Sequence, residues 1–253
     1  MRAVPVLVGA LLVCSGAGAQ FVAPGGVIPV VANLPGLNDT VWRSDVSVLN
    51  VSDVETTIRL QLFPEIIGGA AAFEPVVSDP ITVPAGGQVT LTNVVQSLFQ
   101  LRDTKGAVWV LSTAGEPLVL ASRTYTVADG GGSFGQDVTS VLVASPAWAA
   151  GLRHDSFYRT NLGIFWPWDQ TVQFQVSVRD GGGQEVGSGV VVFEQAGLQQ
   201  VSLGAFGVEQ LVDGFVVLTC PDAGAVWYAY ASRVDQITGD AVFRVARGYQ
   251  PLG

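Results

Sequence analysis

The sequence predicts an all-β protein made of two tandem antiparallel β-sandwich (immunoglobulin-like) domains related by internal duplication. Three observations point there. Apolar residues recur with period two, the 31 Gly and 13 Pro of the 253 residues punctuate the chain at short intervals, and stretches of the first half return in order in the second. A chain that is 49% hydrophobic and 13% charged is too apolar to stay disordered.

Period two is the mark of a strand with one buried face. In the first half Ile58, Leu60 and Leu62 alternate with Thr57, Arg59 and Gln61. In the second, Val172, Phe174, Val176 and Val178 alternate with Gln173, Gln175, Ser177 and Arg179. Such alternation suits antiparallel sheets, because the strands of parallel sheets are covered on both faces and read as continuous apolar runs. Arg179-Asp180-Gly181-Gly182-Gly183-Gln184 is a hairpin turn, since Asp and Gly tolerate the positive φ that tight connections need. Helix is scarce. Asn93 is placed to cap a short helix through Val94, Val95, Leu98 and Phe99, and Gly204 to Leu211 could form a similar turn. Neither is long enough for a βαβ crossover, which disfavours dinucleotide-binding and barrel enzymes.

The repeat is carried by three pairs of segments. Trp42-Arg43-Ser44-Asp45-Val46-Ser47-Val48-Leu49 corresponds to Tyr158-Arg159-Thr160-Asn161-Leu162-Gly163-Ile164-Phe165, both opening aromatic-Arg. Ala85-Gly86-Gly87-Gln88-Val89-Thr90-Leu91 is echoed, with one insertion, by Ala196-Gly197-Leu198-Gln199-Gln200-Val201-Ser202-Leu203. Leu118-Val119-Leu120-Ala121-Ser122-Arg123 is echoed by Tyr228-Ala229-Tyr230-Ala231-Ser232-Arg233. These matches place one sandwich at residues 27–145 and the other at 150–250, joined by a short linker around Ser145-Pro146-Ala147-Trp148. So short a linker implies that the two pack together.

The pattern aromatic-Arg-Thr/Ser-Asp/Asn, then Pro-Ala-Gly-Gly, then Ala-Ser-Arg resembles tandem β-sandwich repeats of uncharacterised secreted bacterial proteins. The resemblance implies export and a paired sandwich and supplies no catalytic residues.

Residues 1–19 read as a secretory signal peptide. Met1-Arg2 precedes an apolar run from Ala3 to Val13, then the small residues Ser15 to Ala19, so the expected cut follows Ala19. The run is shorter than the roughly 20 residues of a membrane-spanning helix, and no membrane span is expected once it is removed. Lipidation at Cys14 is the lesser reading, because Val13 stands where a small residue is expected. Removal of Cys14 leaves Cys220 alone, so no internal disulfide is possible, and Cys220 reads as a small buried hydrophobe in a strand. The expected location is extracellular or periplasmic.

Charge excludes one class of partner. With 21 acidic residues against 12 basic, a net charge of -9, and Lys105 as the only lysine, the chain lacks the clustered cations that nucleic-acid binding requires. Catalytic signals are weak. Gly131-Gly132-Ser133-Phe134-Gly135 spells the nucleophile elbow of serine hydrolases, but a strand-like run follows where a helix is needed. His154 is the sole histidine, and although Asp155 and Ser156 follow it, neighbours on an extended chain point apart. No catalytic residue, cofactor or metal is therefore assigned. A Cys/His zinc cage lacks ligands, whereas a calcium site drawn from distant loops stays open, as does a carboxylate pair of a hydrolase assembled the same way.

The repeat separates folding residues from functional ones. Arg43 with Arg159, and Arg123 with Arg233, occur in both halves and read as structural arginines laid along a sheet, Asp45 being one candidate partner. Phe165-Trp166-Pro167-Trp168-Asp169 replaces Leu49-Asn50-Val51-Ser52-Asp53 and is special to the second half. Trp166 and Trp168 are accordingly the candidate ligand-binding residues, as an aromatic platform for a sugar ring. The competing reading packs them between the sandwiches. Asn38 and Asn50 begin glycosylation sequons. The expectation is a secreted non-enzymatic structural or interaction module, with a protein or polysaccharide partner at the cell surface or self-assembly through an edge strand. The alternative is a carbohydrate-binding module using exposed tryptophans.

Overall fold

A computed structural model describes residues 23–36, 40–71, 73–127, 130–139, 143, 145–222 and 224–248. The signal peptide read at 1–19 and Asn38 lie outside the described residues. The chain is all-β, with 63% of it in strands and antiparallel sheets forming two regions. The first contains β1 (Gly25–Pro35), β2 (Val41–Asn50), β3 (Thr56–Pro64), β4 (Ile66–Ile67), β5 (Ala70–Ala71), β6 (Val76–Val77), β7 (Ile81–Val83), β8 (Gln88–Leu91), α1 (Val94–Ser97), β9 (Thr104–Ser112), β10 (Leu118–Val127) and β11 (Ser133–Asp137). The second contains β12 (Ala147–His154), β13 (Tyr158–Trp166), β14 (Val172–Asp180), β15 (Glu185–Phe193), β16 (Gly197–Ser202), a 3-10 turn (Leu203–Phe206), β17 (Leu211–Thr219), β18 (Tyr228–Asp235), β19 (Ala241–Val245) and β20 (Arg247–Gly248). Ala147 and Trp148, read from sequence as linker, already belong to β12.

The first region is a nine-stranded sheet in the order β11-β10-β2-β1-β9-β3-β6, with β8 added to β2 and β7 to β3, and a separate two-stranded ribbon of β4 and β5 whose Ile66 is buried in the core of the second region. The nine-stranded sheet folds over at β1, whose early residues pair with β9 and whose last three, Asn33 to Pro35, pair with β2. Val46 and Val48 of β2 thereby face Ile58, Leu60 and Leu62 of β3 and Val108 and Val110 of β9 across an apolar core. The second region holds a four-stranded sheet, β16-β13-β18-β19, and a five-stranded sheet, β15-β14-β17-β12-β20. Leu162, Ile164 and Trp166 of the former and Phe174, Val176 and Leu218 of the latter enclose its core.

Alternation holds where one face meets solvent, and it fails in β1 and β18. Val27 to Asn33 of β1 and Tyr228 to Ser232 of β18 are buried without a break. The cause is a second buried interface. Phe63, Ala107 and Val27 lie on the outer side of β3-β9-β1 and belong to the same apolar cluster as Phe165, Leu198, Tyr228 and Tyr230 of the four-stranded sheet. Phe63 and Phe165 approach with ring centroids 5.1 Å apart. The layers therefore run β8-β2-β10-β11, β3-β9-β1, β16-β13-β18-β19 and β15-β14-β17-β12. Each fully buried aromatic side chain at the middle contact contributes on the order of 1.5–3 kcal/mol of hydrophobic stabilisation.

One glycine makes that contact possible. Gly163 of β13 lies opposite Tyr230 of β18, and a Cβ at Gly163 would fall inside the Tyr230 ring. The ring instead lies flat over the bare backbone and stacks on Phe243 at 4.9 Å.

The helical turns are short and capped otherwise than the sequence suggested. Asn93 adopts a left-handed φ of 45° and makes no side-chain cap. Its Nδ2 donates to Gln96 Oε1, while its own backbone N–H donates to Asp45 Oδ1 at 2.8 Å. In the second region Ser202 Oγ accepts from Gly204 N, and Gly207 ends the 3-10 turn with a φ of 82°.

Candidate functional site

Phe165 to Asp169 form a corner of the core. Successive side chains of a strand point to opposite faces, so Phe165 enters the contact between the regions while Trp166 enters the core of the second. Trp166 is 2% exposed. It meets Phe174 edge-on at 5.9 Å, and its Nε1 donates to Gln170 O at 2.9 Å. Trp168 is half-buried against the same core, with Nε1 donating to Val226 O at 2.9 Å. Of the two rings read from sequence as a platform, Trp166 is thus buried in the core and Trp168 half-buried. Both indole N–H groups are consumed in fixing the turn that returns β13 into β14.

Beside this corner an open depression of about 520 Å³ is lined by Trp166, Gln170, Thr171, Val172, Gln173, Pro221 and Asp222. Its polar walls are two neutral amides, one hydroxyl and one carboxylate, and Asp222 Oδ1 already accepts from Gly224 N.

Of the residues weighed for catalysis, His154 and Asp155 bond backbone N–H groups with their side chains. Ser133 opens strand β11, opposite Val127 of β10, so the G-x-S-x-G stretch is a hairpin arm and not a strand-to-helix elbow. His154 Nδ1 accepts from Thr160 N at 3.3 Å, and burial holds its pKa below the ordinary value despite the opposing charge of Asp155. Asp155 is turned to its own loop. It accepts from Arg153 Nε at 2.6 Å and from the backbone N–H groups of Phe157 and Tyr158, and these bonds hold its carboxyl below the usual range against desolvation. Cys220 is buried, and burial raises its thiol pKa. Its backbone exchanges two hydrogen bonds with Ser145 Oγ.

The repeated arginines find other partners than a first reading suggests. Asp45 does not pair with Arg43. It accepts from Asn93 N and from Tyr125 Oη, and Arg123 stands opposite it across the sheet. Arg233 Nη1 donates to Gly151 O. Its guanidinium lies 5.6 Å from the Tyr158 ring, which also carries Arg153 at 4.3 Å. Sequence reasoning missed this stack because its members come from β12, β13 and β18. Asn50 is buried, its Nδ2 donating to Val54 O and its Oδ1 accepting from Ser52, so that sequon is a structural turn.

Among the described residues no group of three or more His, Cys, Asp or Glu side chains is placed to hold a metal ion, and no helix is long and apolar enough to cross a membrane. No family model, curated protein or solved structure matches the chain.

Proposed function

We propose that the chain is a secreted, non-enzymatic structural or interaction module of two immunoglobulin-like sandwiches related by internal duplication. The observation that carries this reading is the shared order of elements. β8-β2-β10-β11 and β16-β13-β18-β19 follow one order, as do β3-β9-β1 and β14-β17-β12, and a short helical turn follows β8 and β16 alike. A second support is the use made of reactive side chains. The side chains of His154 and Asp155 accept backbone N–H groups between β12 and β13, which is the work of a scaffold. The burial of Trp166 removes the main support for a glycan platform, and the module is read as one that presents sheet surfaces and edges to a macromolecular partner.

Two measurements test the reading. Export by a bacterial host should yield a mature chain beginning at Gln20, read by N-terminal sequencing; retention of residues 1–19 in the exported protein would contradict secretion by a cleaved leader. Assays against ester, peptide and glycoside substrates should give no turnover above buffer. Turnover abolished by Ser133→Ala or His154→Ala would overturn the non-enzymatic reading.

A further inference from the structure

We infer that strand β15 is a self-association edge, pairing antiparallel with β15 of a second copy across a two-fold axis. The inference deepens the interaction-module reading by naming the surface and the partner.

A strand at the edge of a sheet presents a row of unpaired backbone N–H and C=O groups, and proteins that stay monomeric blunt such edges with proline, lysine, bulges or very short strands. The first region does so. Beyond β3 its edge is broken into β6 and β7, of two and three residues, and Pro75, Pro80 and Pro84 flank those pieces. The second region has at the same place the nine-residue β15, the longest edge strand among the described residues. From Val186 to Phe193 it carries no proline and no charge. Its backbone pairs with β14 alone. The one further hydrogen bond to its backbone among the described residues is from Gln199 Nε2 to Val192 O.

That bond limits the open edge at one end. A bulge at Val186, where the register with β14 shifts, limits it at the other. Between them Gly187 and Gly189 face inward, where Cβ atoms would meet Phe206 and Val208, so the inner side is closed by the 3-10 turn and Val208. Val190 and Val192 stand 47% and 41% exposed on the outer side.

The sequence of the open stretch selects a second copy as occupant. Val186-Gly187-Ser188-Gly189-Val190 reads the same in both directions. In an antiparallel pair centred on Ser188, Ser188 meets its own copy and glycine meets glycine, with Val190 of each chain beside the bulge of the other. Such a contact is isologous and closes at two copies. The two five-stranded sheets become one continuous ten-stranded sheet.

Light scattering and sedimentation of the mature protein, from micromolar to millimolar concentration, should show the mass rising to twice the monomer value. Val190→Lys puts a charge on the exposed face of the edge without touching the core and should shift the midpoint at least tenfold to higher concentration. Gln175→Lys, on the same face of the inner strand β14, should leave it unchanged. Ser188→Cys should form a disulfide-linked dimer in the absence of reductant, while the wild type, with Cys220 buried, should not. A constant monomer mass over the whole range, or a dimer indifferent to Val190→Lys and without the Ser188→Cys crosslink, would overturn the inference. A monomeric result leaves the module reading standing, whereas enzymatic turnover would remove that reading and leave the strand pairing intact.

Discussion

Gly163 and Tyr230 are the pair on which the contact between the regions turns. Gly163→Ala should destabilise the protein by about 1–3 kcal/mol, the usual cost of overpacking a filled core, read by urea denaturation. Tyr230→Phe should behave in the opposite way. The hydroxyl of Tyr230 is fully buried with no hydrogen-bond partner among the described residues, and burial pushes its pKa up strongly. Removing it should leave stability within about 1 kcal/mol of wild type or raise it, and a large loss would mean that the hydroxyl has a partner. His154 gives a pH dependence whose sign is set. Its folded pKa lies below the ordinary value of 6.5, so the unfolded chain binds the proton more readily. The associated stability is present above about pH 6.5 and is lost as pH falls through the window toward the folded pKa. His154→Gln should flatten the stability profile in that window, measured by urea midpoints, and an unchanged slope would assign it to other groups. At this scale the sequence was readable where a residue acts with its near neighbours. The pairing of Asp45 with Asn93 N, or of Arg233 with Gly151 O, was hidden because the partners are far apart in the chain.

Elements were legible in proportion to how simply they are buried. β14, and β3 as far as Leu62, alternate because one face packs and the other is partly or fully open to solvent, and that period was visible. β1 and β18 are covered on both faces, so their apolar runs carried the message of the contact between regions, which alternation alone does not convey. The Trp166 and Trp168 segment shows the converse. It looked special because it occurs in one half, yet alternation along β13 sends Trp166 into the core, and its indole N–H is used within its own turn. Trp166→Ala should therefore cost about 3–5 kcal/mol, the range for emptying an aromatic site in a core, as a drop in urea midpoint. A stability near wild type would place the ring at the surface after all. The edge strand β15 was foreseeable only as a class. Its lack of proline gains meaning from the comparison with β6 and β7, the short strands beside β3, which the proposed duplication sets at the matching edge.

At the scale of the whole molecule the middle contact makes the two regions one body. Phe63, Val27 and Ala107 from one and Phe165, Tyr228 and Tyr230 from the other are buried together, and Lys105, ion-paired to Glu65 within its own region, donates a hydrogen bond to Gln200 across the seam. A partly exposed pair of that kind adds little stability of its own; the apolar area does most of the joining. Two regions so joined hold their outer sheet faces and the β15 edge in a fixed relation, as the proposed structural or interaction role would require. The most direct test of this account is equilibrium urea unfolding of residues 20–253, followed by tryptophan fluorescence and by far-ultraviolet circular dichroism. Trp42 and Trp109 report on the first region, and Trp148, Trp166, Trp168 and Trp227 on the second. One cooperative transition with coincident midpoints is the expected result. Two separated transitions, with one region unfolding while the other keeps its full signal, would contradict it.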